Sequence, residues 1–216
     1  MMLPGMSDLQ SLILAVLMDA QPEFSVGKNL FLALIPLGLS YSLFQLKLQR
    51  GVFWWLGAIA FLLFLPNAAY VLTDVIHLIA AIRVEQNLSF GQLVLGLIPL
   101  YLVYMLVGFE AYVLSLTNLE VYLRGTLLQR YILPIEILIN VLVAIGIYMG
   151  RFQRLNSWYI LTRPQTLLDK TLQDLTRPLP LEVIAIIFVV LTLLYFIFKF
   201  LNSAVIYMWQ NKYAKD

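Results

Sequence analysis

The chain has 216 residues, 62% of them hydrophobic and 12% charged, with a mean hydropathy of +0.87. Soluble domains carry about 25% charged and about 45–50% apolar residues, so this composition excludes an ordinary soluble domain and makes lipid the main solvent. The 14 Lys and Arg against 12 Asp and Glu give a net charge of +2, too even and too dispersed for a nucleic-acid binder; the absence of cysteine excludes thiol catalysis, thiolate metal sites and disulfides.

The first apolar run, Leu9–Met18, covers only about 15 Å as a helix, half of a bilayer core. Asp8, Asp19, Pro22 and Glu23 close it on both sides. Residues 1–28 therefore read as a short re-entrant or surface helix, with a sixth span as the alternative. No Lys or Arg precedes the run, which argues against a cleavable signal peptide.

Residues 29–216 read as one multi-pass domain with five runs long enough to cross a bilayer: Asn29–Leu48, Val52–Leu72, Leu93–Leu116, Ile132–Gly150 and Glu182–Leu201. The short connection Lys47–Gly51 makes the first two antiparallel neighbours, and Trp54 and Trp55 sit where interfacial aromatics belong. In the polar connection Arg151–Pro180, an amphipathic helix is expected over 163–176. Leu167, Leu168, Leu172 and Leu175 share one arc, while Asp169, Lys170, Gln173 and Asp174 face away. Such a helix lies on the membrane surface. The expected fold is an all-α integral membrane bundle of five full spans plus this interfacial helix, with membrane lipids as the immediate partners.

The alternation of spans defines two faces. Face X is reached after the first, third and fifth spans, and face Y after the second and fourth. Six Lys and Arg fall on X and seven on Y, so the charge rule leaves orientation open, although Arg151 and Arg154 abutting a span end favour Y as cytoplasmic.

The most informative stretch closes the second span: Pro66-Asn67-Ala68-Ala69-Tyr70-Val71-Leu72-Thr73-Asp74-Val75-Ile76-His77. At 100° per residue Asn67, Tyr70, Thr73, Asp74 and His77 occupy about one third of the helix circumference. An Asp at the centre of a membrane helix costs about 2.5–3.5 kcal/mol, so this seam must face the bundle interior or a wet cavity. Pro66 removes one backbone donor and frees the Leu62 carbonyl nearby. A second cluster, Arg151, Arg154, Asn156, Ser157 and Trp158, follows the fourth span and emerges on the same face Y, where Asn29 also opens the first span. One reading is a shared site: Arg151 and Arg154 hold an anionic lipid headgroup or small polar ligand, Asp74 and His77 form a proton-active pair, and Asn67 and Tyr70 orient them. The other is a hydrogen-bonded seam that pins helices together and makes the chain a non-catalytic scaffold or assembly subunit for a membrane-protein partner.

These blocks resemble a known family. The segments Asn29-Leu30-Phe31-Leu32-Ala33 with Ile35-Pro36, Leu65-Pro66-Asn67 through Tyr70, Thr73-Asp74 and His77-Leu78, and Gly150-Arg151-Phe152 through Arg154 and Asn156-Ser157-Trp158 are similar to those of the uncharacterised multi-pass bacterial membrane proteins called domain of unknown function 1361. The resemblance covers most of the chain after about Lys28. Ala69 stands where the family tends to have a second proline, and Tyr159 where it tends to have an Asp. The resemblance implies a multi-pass cell-membrane protein and supplies no reaction.

Other chemistries fit less well. His77 is the only histidine, so a metal centre would need Asp74, His77 and a further carboxylate such as Glu85. A hydrolase triad drawn from Ser157, His77 and Asp74 lacks a nucleophile elbow. Nothing resembles a phosphate-cradling Gly loop or a dinucleotide fingerprint, and the sequence names no cofactor. Transport is the remaining class: Glu110 and Glu136 are ionisable groups inside the third and fourth spans, with Asn140 one turn from Glu136. Glu136 near a helix start also has a plain explanation in the helix dipole. Aromatics of the third span, Tyr101, Tyr104, Phe109 and Tyr112, read as core, and Lys199 as a side chain snorkelling to face X.

Overall fold

The computed structural model describes residues 26–46, 49–84, 89–153, 162 and 164–213. The short N-terminal helix expected at Leu9–Met18, together with Glu85, Arg154, Asn156, Ser157 and Trp158, lies outside the described residues.

Helix α1 is Val26–Ser40, extended by a π turn at Tyr41–Gln45. Helix α2 is Val52–Tyr70, followed without a break by a 3₁₀ stretch, Val71–Asp74, and helix α3, Val75–Val84. Helix α4, Phe90–Gln92, leads through a π turn at Leu93–Leu97 into α5, Ile98–Arg124. A 3₁₀ turn at Gln129–Tyr131 opens α6, Ile132–Phe152. Helices α7, Pro164–Leu175, and α8, Pro178–Tyr213, complete the described chain. Among the described residues there is no strand.

Five continuous helical runs are long and apolar enough to cross a membrane: Val26–Gln45, Val52–Arg83, Phe90–Arg124, Gln129–Phe152 and Pro178–Lys212. The expected bundle of five spans is therefore observed, but its rods outrun the apolar stretches that announced them. The second continues beyond Leu72 to Arg83, and the third beyond Leu116 to Arg124. The cause is that a polar side chain with a partner inside the bundle does not end a helix; Asp74 and Glu120 are both buried and both paired. Where chain breaks do occur, local chemistry explains them. Ser89 and Gln92 form a reciprocal capping box at the start of α4, and Pro178 occupies the first position of α8.

Burial is that of a membrane protein. The interior is filled by Phe61, Leu65, Phe109, Tyr112 and Tyr195, while large apolar side chains such as Val103, Leu138, Ile186 and Leu193 are exposed around the outside. Lipid tails satisfy those exposed groups, so packing and interior hydrogen bonds are what hold the helices together. Two glycines let backbones close in. A Cβ on Gly146 would lie 2.8 Å from Pro66 Cγ, and one on Gly108 would lie 2.7 Å from Val71 Cγ2. These contacts seat α2 and its 3₁₀ extension against α6 and α5.

The interfacial helix differs from expectation in one respect. Asp174, assigned to the outward polar side, is buried, whereas Leu168 and Leu172 are exposed. The Gln153 side-chain amide, just past α6, donates to Asp174 Oδ2 and ties that side of α7 inward. The leucines are left to face the surroundings, which is favourable where the surroundings are lipid.

Candidate functional site

Asp74 is the centre of the face-Y cluster. It is fully buried, at the end of the 3₁₀ stretch, and receives donors from three other helices. Arg151 of α6 donates from Nη2 to Oδ1 at 2.6 Å, Tyr104 of α5 donates its hydroxyl to Oδ2 at 2.5 Å, and Asn29 of α1 donates from Nδ2 to Oδ2 at 3.3 Å. A carboxylate in a low-dielectric interior needs this kind of saturation, because an unpaired charge there costs several kcal/mol.

Arg151 is consumed almost as completely. Its Nε and Nη2 both donate to Thr73 Oγ1, at 3.1 and 2.5 Å. The Thr73 hydroxyl in turn donates to the Tyr70 carbonyl at 2.7 Å. The guanidinium lies over the Tyr70 ring, 4.5 Å from its centroid, a cation–π contact that strengthens as water is excluded. Finally, Arg151 Nη1 lies 3.0 Å from His77 Nε2. A guanidinium only donates, so Nε2 is the acceptor and the ring proton sits on Nδ1. The same Nε2 is 3.9 Å from Asp74 Oδ1. Exposure rises outward through the cluster: the side chains of Asp74, Arg151 and His77 are 0%, 13% and 33% accessible.

The structure thus unites Tyr70, Thr73, Asp74, His77 and Arg151, as the helical wheel and the span alternation require. Asn67 donates to the Phe64 carbonyl at 3.2 Å on its own helix. Arg151 is the counter-ion of Asp74. Tyr104, read from sequence as core, is a site hydroxyl; no signal distinguishes it from the other span tyrosines except that it lies on the helix that must cover the seam. Beside this cluster, Tyr148, Phe152, Gln153, Asp174 and Arg177 line an open groove of about 580 Å³ at the same end of the bundle.

A second polar cluster lies toward face X. Lys199 of α8 donates from Nζ to Glu136 Oε1 at 2.6 Å and pairs with Glu120 Oε2 at 3.0 Å. Tyr195 donates its hydroxyl to the same Glu136 oxygen at 2.7 Å, and Arg124 pairs with Glu120 Oε1 at 2.7 Å. Tyr112 donates to Asn140 Oδ1. Glu110 accepts from Asn202 Nδ2 at 2.6 Å. The snorkelling reading of Lys199 is corrected here: its head reaches not open water but two carboxylates on different helices. Glu136 likewise answers to Lys199 and Tyr195, beyond any helix dipole. Glu120 escaped the sequence reading because the third span was ended at Leu116. Among the described residues no group of three or more His, Asp or Glu side chains is placed to hold a metal ion.

The family model described as protein of unknown function (DUF1361) matches residues 28–193, which include every residue of the face-Y cluster. The chain belongs to the DUF1361 family. No curated protein and no solved structure matches it. The five long apolar helices are those of a multi-pass membrane protein.

Proposed function

We propose that this DUF1361 protein is a proton-linked binding site for an anionic group at face Y of a bacterial inner membrane, with a lipid phosphate as the group in question. The observation that carries the reading is the shared position of His77 Nε2, 3.0 Å from a nitrogen of Arg151 and 3.9 Å from Asp74 Oδ1. With His77 neutral, its lone pair accepts from Arg151, Arg151 neutralises Asp74, and the cluster has no net charge. Protonation at Nε2 turns that acceptor into a donor facing another donor. Two cations then share one carboxylate, leaving a net charge of +1 at the most exposed member of the cluster. An anion arriving at face Y restores neutrality by accepting from His77 and from the remaining Nη1 proton of Arg151. Thr73 and the Tyr70 ring hold the guanidinium in place throughout.

The test is native mass spectrometry of the protein released from membranes containing phosphatidylglycerol. More bound lipid at acidic than at neutral pH in the wild type, and no such difference in His77→Gln, supports the reading. A lipid count independent of pH in the wild type overturns it.

A second reading has its own support. Asp74 is bonded to side chains of α1, α5 and α6 at once, so the cluster also serves as a pin for four helices. If His77→Gln and wild type behave alike, that pin, in a scaffold awaiting a membrane-protein partner, is the role left standing.

A further inference from the structure

We propose that the cluster of Glu120, Glu136 and Lys199 near face X is a second, separate site, an intramembrane protonation site in which the Glu136 carboxyl takes the proton and hydrogen-bonds to a bound water. It does not depend on the face-Y reading.

The first argument is charge. One ammonium serves two carboxylates from two helices, Glu120 of α5 and Glu136 of α6, at 3.0 and 2.6 Å. Neutrality is completed only by Arg124, whose side chain is 62% accessible while its partner Glu120 is 9% accessible. The arginine end of this pair is open to water and to salt, while its carboxylate end is buried. When Arg124 swings into solvent, two carboxylates face Lys199 alone, and a net negative charge remains among apolar helices. Taking up one proton removes it: an O–H bond forms on Glu136, the proton comes from a hydronium ion of the solution at face X and leaves a water molecule behind, and Lys199 stays on Glu120.

The second argument is independent of the acids. A protonated carboxyl in the interior needs an acceptor, which a water fills when other polar groups hold it, and the bundle has unpaired polar atoms one turn away. Asn140 is completely buried and its Nδ2 has no hydrogen-bond partner; Thr192 Oγ1 is buried and unpartnered as well. Asn140 lies one turn beyond Glu136 on α6. Thr192 lies one turn before Tyr195 on α8, the residue that bonds Glu136. Because α6 and α8 run in opposite directions, both steps lead from the Glu136–Tyr195 bond toward face Y, so the two atoms share a level just inside Glu136. Tyr112, which donates to Asn140, has its ring centroid 6.0 Å from that of Tyr195. Buried polar groups in native proteins are nearly always satisfied, and an internal water needs two to four polar partners. In the proposed site Asn140 Nδ2 donates to the water, Thr192 Oγ1 accepts from it and the Glu136 carboxyl donates to it.

The groups facing Glu136 are Lys199 and Tyr195 of α8 in direct contact, Glu120 of α5 through Lys199, and Tyr112 of α5 beside them. Glu110, bonded to Asn202, adds a carboxyl on α5 further from face X.

The experiment uses the full chain in vesicles of phosphatidylethanolamine and phosphatidylglycerol, followed by infrared difference spectroscopy as the external pH is lowered. The expected result is a protonated-carboxyl C=O band that is absent in Glu136→Gln and larger at a given pH in Arg124→Gln. In Thr192→Val and Asn140→Leu the band persists but moves to higher frequency, because the acid has lost its hydrogen-bonded water. A band that survives in Glu136→Gln, or the absence of any such band in wild type and Arg124→Gln, overturns the proposal. Should Glu136→Gln fail to insert, Thr192→Val, which alters no charge, decides: an unmoved band overturns it and a shifted band sustains it.

Discussion

Arg151 and Asp74 are 77 residues apart in the chain and 2.6 Å apart in the bundle. Their bond closes α6 onto the 3₁₀ stretch of the second span, and Asn29, Tyr70, Thr73, His77 and Tyr104 are arranged around it. Removing one partner leaves the other charged and buried, which typically costs about 3–5 kcal/mol; replacing both with apolar residues recovers much of that loss. Asp74→Leu and Arg151→Met should each lower the thermal unfolding midpoint in detergent more than the double variant does. Additive losses would mean that the two side chains do not act as a pair.

Tyr104→Phe separates the hydroxyl from the ring. The ring remains in the core, but Asp74 loses one of its donors, and hydrogen bonds to charged groups are worth about 1.5–3 kcal/mol. A destabilisation of that size, absent when the same change is made in an Asp74→Leu background, is the expected outcome of chemical unfolding. An equal effect in both backgrounds would assign the loss to packing.

For the anion site the sign of the pH dependence follows from the proton count. The liganded state binds one more proton than the empty one, so affinity for a phosphate monoanion rises as pH falls, by at most about tenfold per pH unit. Equilibrium binding of a short-chain phosphatidylglycerol across a pH series checks this, and His77→Gln should flatten the curve while leaving the fold intact, because glutamine still offers Arg151 an acceptor.

The glycines make a prediction about close approach. Gly146→Ala and Gly108→Ala would each push a methyl to within 3 Å of a neighbouring side chain, 2.8 Å from Pro66 Cγ and 2.7 Å from Val71 Cγ2. Both neighbours are stiff, and overpacking of this kind costs about 1–3 kcal/mol. Gly38→Ala meets nothing within 4 Å, and should be neutral or stabilising by up to about 1 kcal/mol through helix propensity. Thermal melts of the three variants in one detergent make the comparison.

The spans and the face-Y cluster were legible in the sequence for one physical reason: polar residues inside an apolar helix cost too much to be unpaired, so their spacing on a wheel names the buried face. Tyr70, Thr73, Asp74 and His77 obey that logic, and the alternation of spans brings Arg151 to the same end. Tyr104 and Lys199 do not announce themselves. A span tyrosine is equally at home as a packing residue, and a lysine near a helix end is equally at home in the headgroups. What decided their roles was which helix stood opposite. Glu120 was hidden by the assumption that a charge ends a span, when in fact Lys199 and Arg124 carry the helix past it. Asp174 was misplaced because α7 read alone shows which side is polar, not which side the end of α6 takes hold of.

The 3₁₀ stretch Val71–Asp74 gives the face-Y bond a mechanical meaning. Over four residues, 3₁₀ winding differs from α winding by about 80° of rotation and about 2 Å of length. Should Asp74 let go of Arg151 and the stretch relax to α geometry, α3 beyond it would turn like a screw and draw in, carrying His77 off its present bearing. Charge in the cluster and the heading of the helix end at face Y are in that sense one coordinate.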